Sequence, residues 1–254
     1  MSHAQHELQR YYETLYAAWG PQHWWPAQSR FEVIVGAILT QNTSWKNVEL
    51  ALTKLRSARA LSMQAMRDVP LADLEQLIRS AGFFRQKASR LKAFVSFVDS
   101  RYSGSLDRMF SQPTNELRAE LLALNGIGHE TADSILLYAG NHPVFVVDAY
   151  TRRIVERHGL FAPSTKYDEI RKAFEQALSR ERAPSALRLH EDRPTIHSPS
   201  RMSNAKRSAL AQRFNDMHGL IVQVGKHACR SKIARCDRCP LRLFLPQSHA
   251  SSDI

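Results

Sequence analysis

Apolar residues recur at helical spacing along nearly the whole chain. The run FEVIVGAILT, residues 31–40, is apolar almost all round, which is typical of a buried central helix. One-sided stripes follow in VELALTKLRS and LADLEQLIRSAG, and the second stripe ends in a glycine, a common helix stop. PVFVV, residues 143–147, is strand-like but short, and it directly precedes a predicted helix. The pattern predicts an all-α protein.

The helical rhythm breaks between residues 179 and 207. The segment SRERAPSALRLHEDRPTIHSPSRMSNAKR holds three prolines, many arginines and little periodicity. It predicts a mobile basic insertion between two helices. Two interpretations stay open, a loop that contacts DNA and a poorly ordered loop without function.

Composition bounds the size and the compartment of the protein. The 254 residues, 43% of them hydrophobic, suffice for one sizeable domain or two small interlocked ones. No apolar run reaches the roughly 18 residues that a membrane span requires. The first twenty residues predict an amphipathic helix and lack the apolar core of a signal peptide. We therefore expect a cytoplasmic, nucleoid-associated protein with no membrane partner.

The formal net charge of +11 favours a polyanionic partner, nucleic acid before membrane. The alternative is a basic protein without a dedicated anion site. A candidate anion site lies in LNGIGHETAD, residues 124–133, which predicts a tight turn between two helices. Gly126 and Gly128 permit close backbone approach there, and amides near Ile127 would begin the second helix, where phosphate binding is favoured. A turn used for packing alone is the other interpretation.

A candidate catalytic carboxylate follows about twenty residues later. Asp148, in VFVVDAYTRRIVERHG, stands between an apolar run and a predicted helix. Aspartate is also a favoured N-cap, and for the residue taken by itself this structural role is the favoured interpretation. Its pairing with the glycine turn makes catalysis a competing interpretation.

These motifs together resemble the helix-hairpin-helix DNA glycosylases of the endonuclease III superfamily, from about residue 31 to residue 240. FEVIVGAILTQNT is similar to the segment that carries the family's glutamine, here Gln41, and SAGFFRQKASRL to the turn with an apolar wedge, here Phe83. LNGIGHETAD matches the hairpin, and VVDAYTRR matches the segment of the catalytic aspartate, here Asp148.

The resemblance implies two helical lobes with double-stranded DNA between them and one monomer per lesion. Residues 31–128 would form a six-helix barrel lobe that ends in the hairpin. Residues 1–30 with 129–226 would form the second lobe, and residues 227–246 a cysteine loop. The target nucleotide would be flipped out of the duplex, because its glycosidic bond is inaccessible inside the stack.

The resemblance also implies roles for individual residues. Gln41 and Phe83 would fill the space that the flipped nucleotide leaves, although both also have interpretations as packing residues. The DNA-binding hairpin residues would be Asn125, Gly126, Ile127 and Gly128.

Glu130 stands where bifunctional family members carry the lysine that forms a Schiff base with the sugar. A carboxylate cannot form that imine. The sequence therefore predicts a monofunctional glycosylase in which Asp148 stabilises the sugar cation or activates water.

The tryptophans indicate which base is removed. QHWWPAQ holds Trp24, Trp25 and Pro26, and QNTSWKN holds Trp45. Aromatic faces favour a cationic base by roughly 0.5–2 kcal/mol, although tryptophans at helix ends are also common core anchors. WWP, LTQNT and GIGHETAD together resemble the 3-methyladenine DNA glycosylase branch.

That branch implies a role for further residues in the base pocket. Trp25 and Trp45 would sandwich the base, and Glu130 would lie at the pocket edge or pair with an arginine or lysine on the surface. Lys226 would lie near the pocket, where its charge is unfavourable for a cationic base.

Three cysteines near the C-terminal end complete the candidate sites. Cys229, Cys236 and Cys239 match the spacing of family members that bind a [4Fe–4S] cluster, but the fourth position holds Leu245. Either a substitute ligand (His249 or solvent) completes the cluster, or the loop is a relic that no longer binds iron. We expect a degraded or labile cofactor.

The leading hypothesis is a monofunctional glycosylase that excises alkylated, 3-methyladenine-type bases in base excision repair. A mismatch glycosylase for adenine or thymine is the alternative within the same fold. A non-catalytic, structure-specific DNA-binding protein is the alternative from another class.

Overall fold

The computed structural model describes residues 2–179 and 197–246. Within these ranges the chain forms twelve α-helices and no β-strand, apart from an isolated bridge between Cys229 and Ala234. The all-α prediction is confirmed, and in PVFVV the four residues after Pro143 are buried without forming a strand. The α-helices are α1 (His3–Trp19), α2 (Arg30–Leu39), α3 (Trp45–Ser57), α4 (Met63–Asp68), α5 (Leu71–Leu77), α6 (Phe84–Tyr102), α7 (Leu106–Phe110), α8 (Thr114–Leu122), α9 (His129–Ser134), α10 (Ala149–Arg157), α11 (Tyr167–Leu178) and α12 (Ala209–His227).

Shorter helical turns complete the secondary structure. They are the 3₁₀ turns Arg79–Ala81, Cys236–Arg238 and Pro240–Phe244, and a π-helical turn, Ile135–Ala139, that continues α9. Of the helices in the described ranges, none has both the length and the apolar character needed to cross a membrane.

The chain divides into two compact units. The internal unit is residues 27–142, and the terminal unit is residues 1–26 with 143–254. The boundaries expected from the sequence were residues 30/31 and 128/129. The second boundary falls later because α9 and the π-helical turn pack against α2 and therefore belong to the internal unit.

Helix α2 is the centre of the internal unit. Ser29 caps it by accepting a hydrogen bond from the Glu32 amide at 3.1 Å, and every residue from Phe31 to Leu39 is buried. The helix packs against α3, α6, α9 and the π-helical turn. The prediction of a buried central helix is confirmed, since only surrounding helices could cover apolar side chains on all faces.

A buried ion pair fastens the two helices of the hairpin. Arg118 on α8 donates to both carboxylate oxygens of Asp133 on α9, at 2.6 and 3.1 Å. Asp133 is fully buried and Arg118 nearly so. The pair fixes how α8 and α9 pack on either side of the turn.

In the terminal unit, α1 packs against α11, α12 and the turn Pro240–Phe244, and α10 packs against α12. Residues 180–196 of the predicted basic insertion lie outside the described residues. In its last part Met202 is buried and Ser200 Oγ donates to the Trp25 carbonyl at 3.2 Å.

Candidate functional site

Asp148 begins α10 and uses its two carboxylate oxygens differently. Oδ1 accepts hydrogen bonds from the amide and the hydroxyl of Thr151, at 2.7 and 2.9 Å. Oδ2 faces the Nε2 atom of His218 on α12, at 3.5 Å. Asp148 is therefore the N-cap that its position predicted, and one oxygen remains outside the cap.

The surroundings of Asp148 hold it in the charged form. Burial raises its pKa, but the imidazole of His218 and the two hydrogen bonds from Thr151 more than offset this, so the pKa lies below its ordinary value. The side chain is 13% exposed, which leaves a route to solvent or substrate. The group is thus a carboxylate at neutral pH in a site of low polarity.

His218 also connects Asp148 to the aromatic residues of the terminal unit. Its ring is 3% exposed, and its centroid lies 5.9 Å from that of Trp24. Gly219 permits this approach, since a Cβ there would lie 3.1 Å from the Cβ atoms of Gln22 and Trp24. The WWP segment therefore packs directly on α12, next to the catalytic candidate.

Trp24 and Trp25 form an edge-to-face pair with ring centroids 5.1 Å apart. Both are buried and Pro26 is half-buried. The Nζ atom of Lys226 lies 5.8 Å from the centroid of the Trp24 ring, on its face. Of the predicted pocket residues, these four share the terminal unit with Asp148.

His197 contributes a neutral ring to the same cluster. Its centroid lies 5.4 Å from that of Trp24. Burial, and secondarily the charge of Lys226, lowers the pKa of His197 to about 4. At neutral pH, Lys226 is therefore the cationic neighbour of Trp24 and His197 is not.

Two predicted pocket residues belong to the internal unit. Trp45 begins α3, is half-buried and donates its indole N–H to Glu49 one turn later, at 2.7 Å. Glu130 is exposed in the first turn of α9, where the helix dipole favours a carboxylate.

Gln41 lies within a hydrogen-bond network of the internal unit. Its Nε2 donates to the Gly126 carbonyl at 2.8 Å and to the Thr131 hydroxyl at 2.9 Å. Its Oε1 accepts a hydrogen bond from Arg90 on α6. The predicted duplex-filling glutamine therefore connects its own loop to the hairpin.

Phe83 is exposed and has a backbone conformation that is unusual for an aromatic residue. The residue is 62% exposed and precedes α6 with a left-handed φ of 46°, which is rare for an aromatic residue. Its side chain stands out of the surface of the internal unit, as expected of an apolar wedge.

The hairpin turn uses its two glycines for different purposes. Gly126 has a φ of +82°, and a Cβ there would meet the Arg90 side chain at 2.1 Å. Gly128 is extended and exposed, and a Cβ added there would have no neighbouring atom within 4 Å. The fold therefore requires glycine at 126 and does not require it at 128.

The other two predicted hairpin residues, Asn125 and Ile127, differ in exposure. Asn125 is exposed, whereas Ile127 is buried and its amide donates to the Leu124 carbonyl at 3.0 Å. The Ile127 amide is therefore used by the turn, and the amides at the start of α9 are the ones without intrahelical acceptors.

The three cysteines line one small cavity, partly open to solvent, together with Leu245 and His158. Arg157 donates to the Cys229 sulfur at 3.2 Å and to the carbonyls of Arg230 and Ser231. Among the described residues no three His, Cys, Asp or Glu side chains are placed to hold a metal ion. With Leu245 at the fourth position, the side chains present do not form a four-thiolate site, and His249 lies outside the described residues.

Comparison with known proteins decides the family. Residues 35–180 match the model of the HhH-GPD superfamily of base excision DNA repair proteins. The chain belongs to this superfamily. It is a DNA glycosylase of base excision repair, with the helix-hairpin-helix fold that its motifs predicted.

Relatives of this glycosylase match along most of its length. A protein of Methanocaldococcus jannaschii, provisionally named a DNA repair glycosylase, is 42% identical over 93% of this chain and 94% of its own. The endonuclease III of Sulfolobus acidocaldarius is 26% identical over 84% of this chain and 79% of its own. The crystal structure of the H. pylori 3-methyladenine DNA glycosylase bound to 1,N6-ethenoadenine is 30% identical, with a TM-score of 0.68 covering 87% of this chain and 97% of that one.

Three polar residues that contact candidate segments within one unit or the other were missed from the sequence. His218 lies in the otherwise apolar stretch of α12, and Lys87 and Arg90 lie in the α6 segment that was quoted only for its wedge. A polar residue on a predicted apolar face is the signal that could have identified His218 and Lys87, since burial of such groups requires partners.

Proposed function

We propose that this glycosylase is monofunctional and excises purines alkylated on the ring, of the 3-methyladenine type. The observation that carries the proposal is the contiguity of Asp148, His218 and Trp24 within the terminal unit. A charged carboxylate and an electron-rich aromatic surface are joined there by one buried imidazole. The reaction would need both, the first for the sugar and the second for the base.

Asp148 would act on the sugar. As the N-glycosidic bond breaks, its electron pair leaves with the base and positive charge develops on the sugar ring. Asp148 Oδ2, the oxygen outside the N-cap, would stabilise that charge. Water then adds to the sugar carbon, and its proton passes to the carboxylate or to solvent.

Trp24 and Trp25 would bind the base. An alkylated purine carries positive charge before cleavage and departs neutral, so an aromatic face favours it over a normal base. The position of Lys226 over Trp24 supports the view that this face attracts cations.

Lys226 would then favour cleavage itself. Its charge disfavours positive charge on the base, while that of Asp148 favours positive charge on the sugar. The two charges together draw the bonding electrons toward the base, an interaction that strengthens in the transition state. This assigns a favourable role to a lysine that would otherwise oppose binding of a cationic base.

Glu130 supports the absence of a lyase step. The carboxylate stands where bifunctional relatives place the Schiff-base lysine, and it cannot form an imine. The product would be an abasic site on an uncut strand.

The internal unit would supply the contacts to DNA. Phe83 is presented for insertion between bases, and the exposed Gly128 lets a phosphate approach the first amides of α9. Gln41 would complete the insertion from the neighbouring loop. The net charge of +11 supports the same partner.

The test is release of bases from defined oligonucleotides. Duplexes carrying 3-methyladenine, A opposite 8-oxoguanine, T opposite G, uracil or thymine glycol are incubated with protein, with and without later alkali. We expect release from the 3-methyladenine duplex and strand cleavage only after alkali. Release from the T:G or A:8-oxoguanine duplex alone would support a mismatch glycosylase, and release from none a binding protein.

Asp148→Asn separates catalysis from capping. Asparagine is an equally good N-cap, so its amide oxygen can still accept from Thr151 and the fold should be retained. We expect excision to fall by several orders of magnitude, while DNA affinity in a gel-shift measurement changes little. Excision at the wild-type rate would refute the assignment of Asp148.

For the cysteine loop, we propose a relic that no longer requires a cluster. The hydrogen bonds of Arg157 to the loop carbonyls and to Cys229 would hold the segment in place. Anaerobically purified protein is then expected to lack visible absorbance and iron. Stoichiometric iron and sulfide would contradict the proposal.

A further inference from the structure

We infer that Lys87 is a positioning residue that holds the Gln41 loop and the Phe83 turn in fixed register for entry into DNA. This inference rests on the proposed insertion of Phe83, but it does not depend on which base the protein excises. We assign Lys87 no contact with the base or with the sugar.

Lys87 is an unusually placed lysine. It lies on α6 and is 1% exposed, whereas lysines are almost never fully buried unless they are paired. Its Nζ donates to the Leu39 carbonyl at 2.9 Å and to the Ala81 carbonyl at 2.8 Å. Burial, and secondarily Arg90, lowers its pKa to about 8, so the ammonium form prevails at neutral pH.

The two carbonyls belong to the two segments that present side chains. Leu39 is the last residue of α2, two positions before Gln41, and Ala81 lies two positions before Phe83. One ammonium group therefore connects the ends of two loops that the sequence separates by about forty residues. Carbonyls at helix ends lack intrahelical donors, so a buried one needs a partner of this kind.

The same face of α6 reaches the hairpin. Lys87 and Arg90 lie three residues apart on one face of α6. Arg90 donates to Gln41 and lies against Gly126. These two side chains thus contact the end of α2, the turn before Phe83, Gln41 and the hairpin turn.

A general stabilising role for Lys87 is the competing explanation, and the helix supplies a matched control. Lys92, one turn further along α6, donates to the carbonyls of Met66 at 2.7 Å, Arg67 at 3.1 Å and Val69. It makes the same type of contact, but to the end of α4 and not to either presented loop. Lys87→Met and Lys92→Met should therefore both lower thermal stability, and only Lys87→Met should alter insertion.

The experiment measures insertion without excision. A duplex carries a tetrahydrofuran abasic analogue with 2-aminopurine opposite it, and the 2-aminopurine fluorescence rises when that base is unstacked. Saturation of binding is verified by anisotropy, and folding by circular dichroism. Phe83→Ala serves as the reference for lost insertion.

We expect wild-type protein and Lys92→Met to give the same rise at saturation, and Lys87→Met to lose most of it, as Phe83→Ala does. A full rise with Lys87→Met, or equal losses with both lysine variants, would overturn the inference. If Lys87→Met does not fold, Lys87→Gln replaces it in the same measurement, with the same expected and contradicting results. Glutamine keeps a hydrogen-bond donor but has a shorter reach. No rise with wild type, or no effect of Phe83→Ala, would overturn the insertion itself, and failure of 3-methyladenine excision alone would leave this result intact.

Discussion

At the scale of single residues, the charge of Asp148 depends on His218, because burial alone would raise the pKa of the carboxyl group. A carboxylate with a lowered pKa stays charged as the pH falls, until the pH reaches that pKa. Removal of the imidazole should raise the pKa, so activity should be lost at a higher pH. His218→Asn is expected to move the acid limb of the excision rate toward neutral pH.

The pH dependence of single-turnover excision checks this expectation. His227→Asn is the matched control, since His227 is exposed in the last turn of the same helix. Tyr150 is a further titratable neighbour of Asp148, but burial, with Asp148 itself second, raises its pKa above the ordinary value for tyrosine. An unchanged acid limb in His218→Asn would show that His218 does not control the charge of Asp148.

Glu130 gives a second prediction at this scale. Glu130→Lys places an amine at the position of the lyase lysine, in an exposed first turn that tolerates substitution. We expect the wild type to form no covalent adduct with lesion DNA under borohydride, and the variant to form one. Adducts with the wild type would contradict the monofunctional assignment.

The sequence marked Asp148 and Phe83 as candidates because each stands at a recognisable junction of helix and loop. It did not suffice for His218, whose contact with Asp148 joins residues seventy positions apart. Gln41 was identified, but its hydrogen bonds to the hairpin depend on a carbonyl and a hydroxyl that only the packing brings near.

At the scale of elements, substitution of the two hairpin glycines should have opposite effects on stability and on DNA binding. Gly126→Ala places a side chain at positive φ and against Arg90, so it should lower the free energy of unfolding by about 1 kcal/mol or more. Gly128→Ala meets no neighbouring atom, so stability should change by only a few tenths of a kcal/mol while the methyl group blocks phosphate approach.

Chemical denaturation measures the stability of the two glycine variants, and a binding titration measures their affinity for DNA. We expect Gly128→Ala to weaken DNA binding about tenfold at nearly unchanged stability, a loss of roughly 1.4 kcal/mol of binding. If Gly128→Ala binds DNA as the wild type does, the first amides of α9 are not a phosphate site.

Helical periodicity predicted the elements well, since it depends on local spacing that the fold retains. The family resemblance, and not periodicity, placed the unit boundary at the hairpin. The packing of α9 and Ile135–Ala139 on α2 moved the boundary past that turn. Likewise, composition did not indicate the hydrogen bond from Ser200 to the Trp25 carbonyl, which joins residues distant in sequence.

At the scale of the whole molecule, the net charge of +11 sets how DNA is bound in the absence of a lesion. Each phosphate neutralised by the protein releases condensed counterions, so the logarithm of affinity falls linearly with the logarithm of salt concentration. This contribution does not depend on base identity, and it would hold the protein on undamaged duplex while it searches.

The slope of log affinity against log salt concentration therefore separates the contribution of phosphate contacts from that of Phe83 insertion. For four or more phosphate contacts we expect a slope of about −3.6 or steeper, measured by anisotropy on lesion-free and tetrahydrofuran duplexes. Phe83→Ala removes no charge, so it should weaken binding to the tetrahydrofuran duplex and leave the slope unchanged. A slope near zero would mean that the excess positive charge does not face DNA, whereas a changed slope in Phe83→Ala would mean that the wedge also controls how many phosphates the protein contacts.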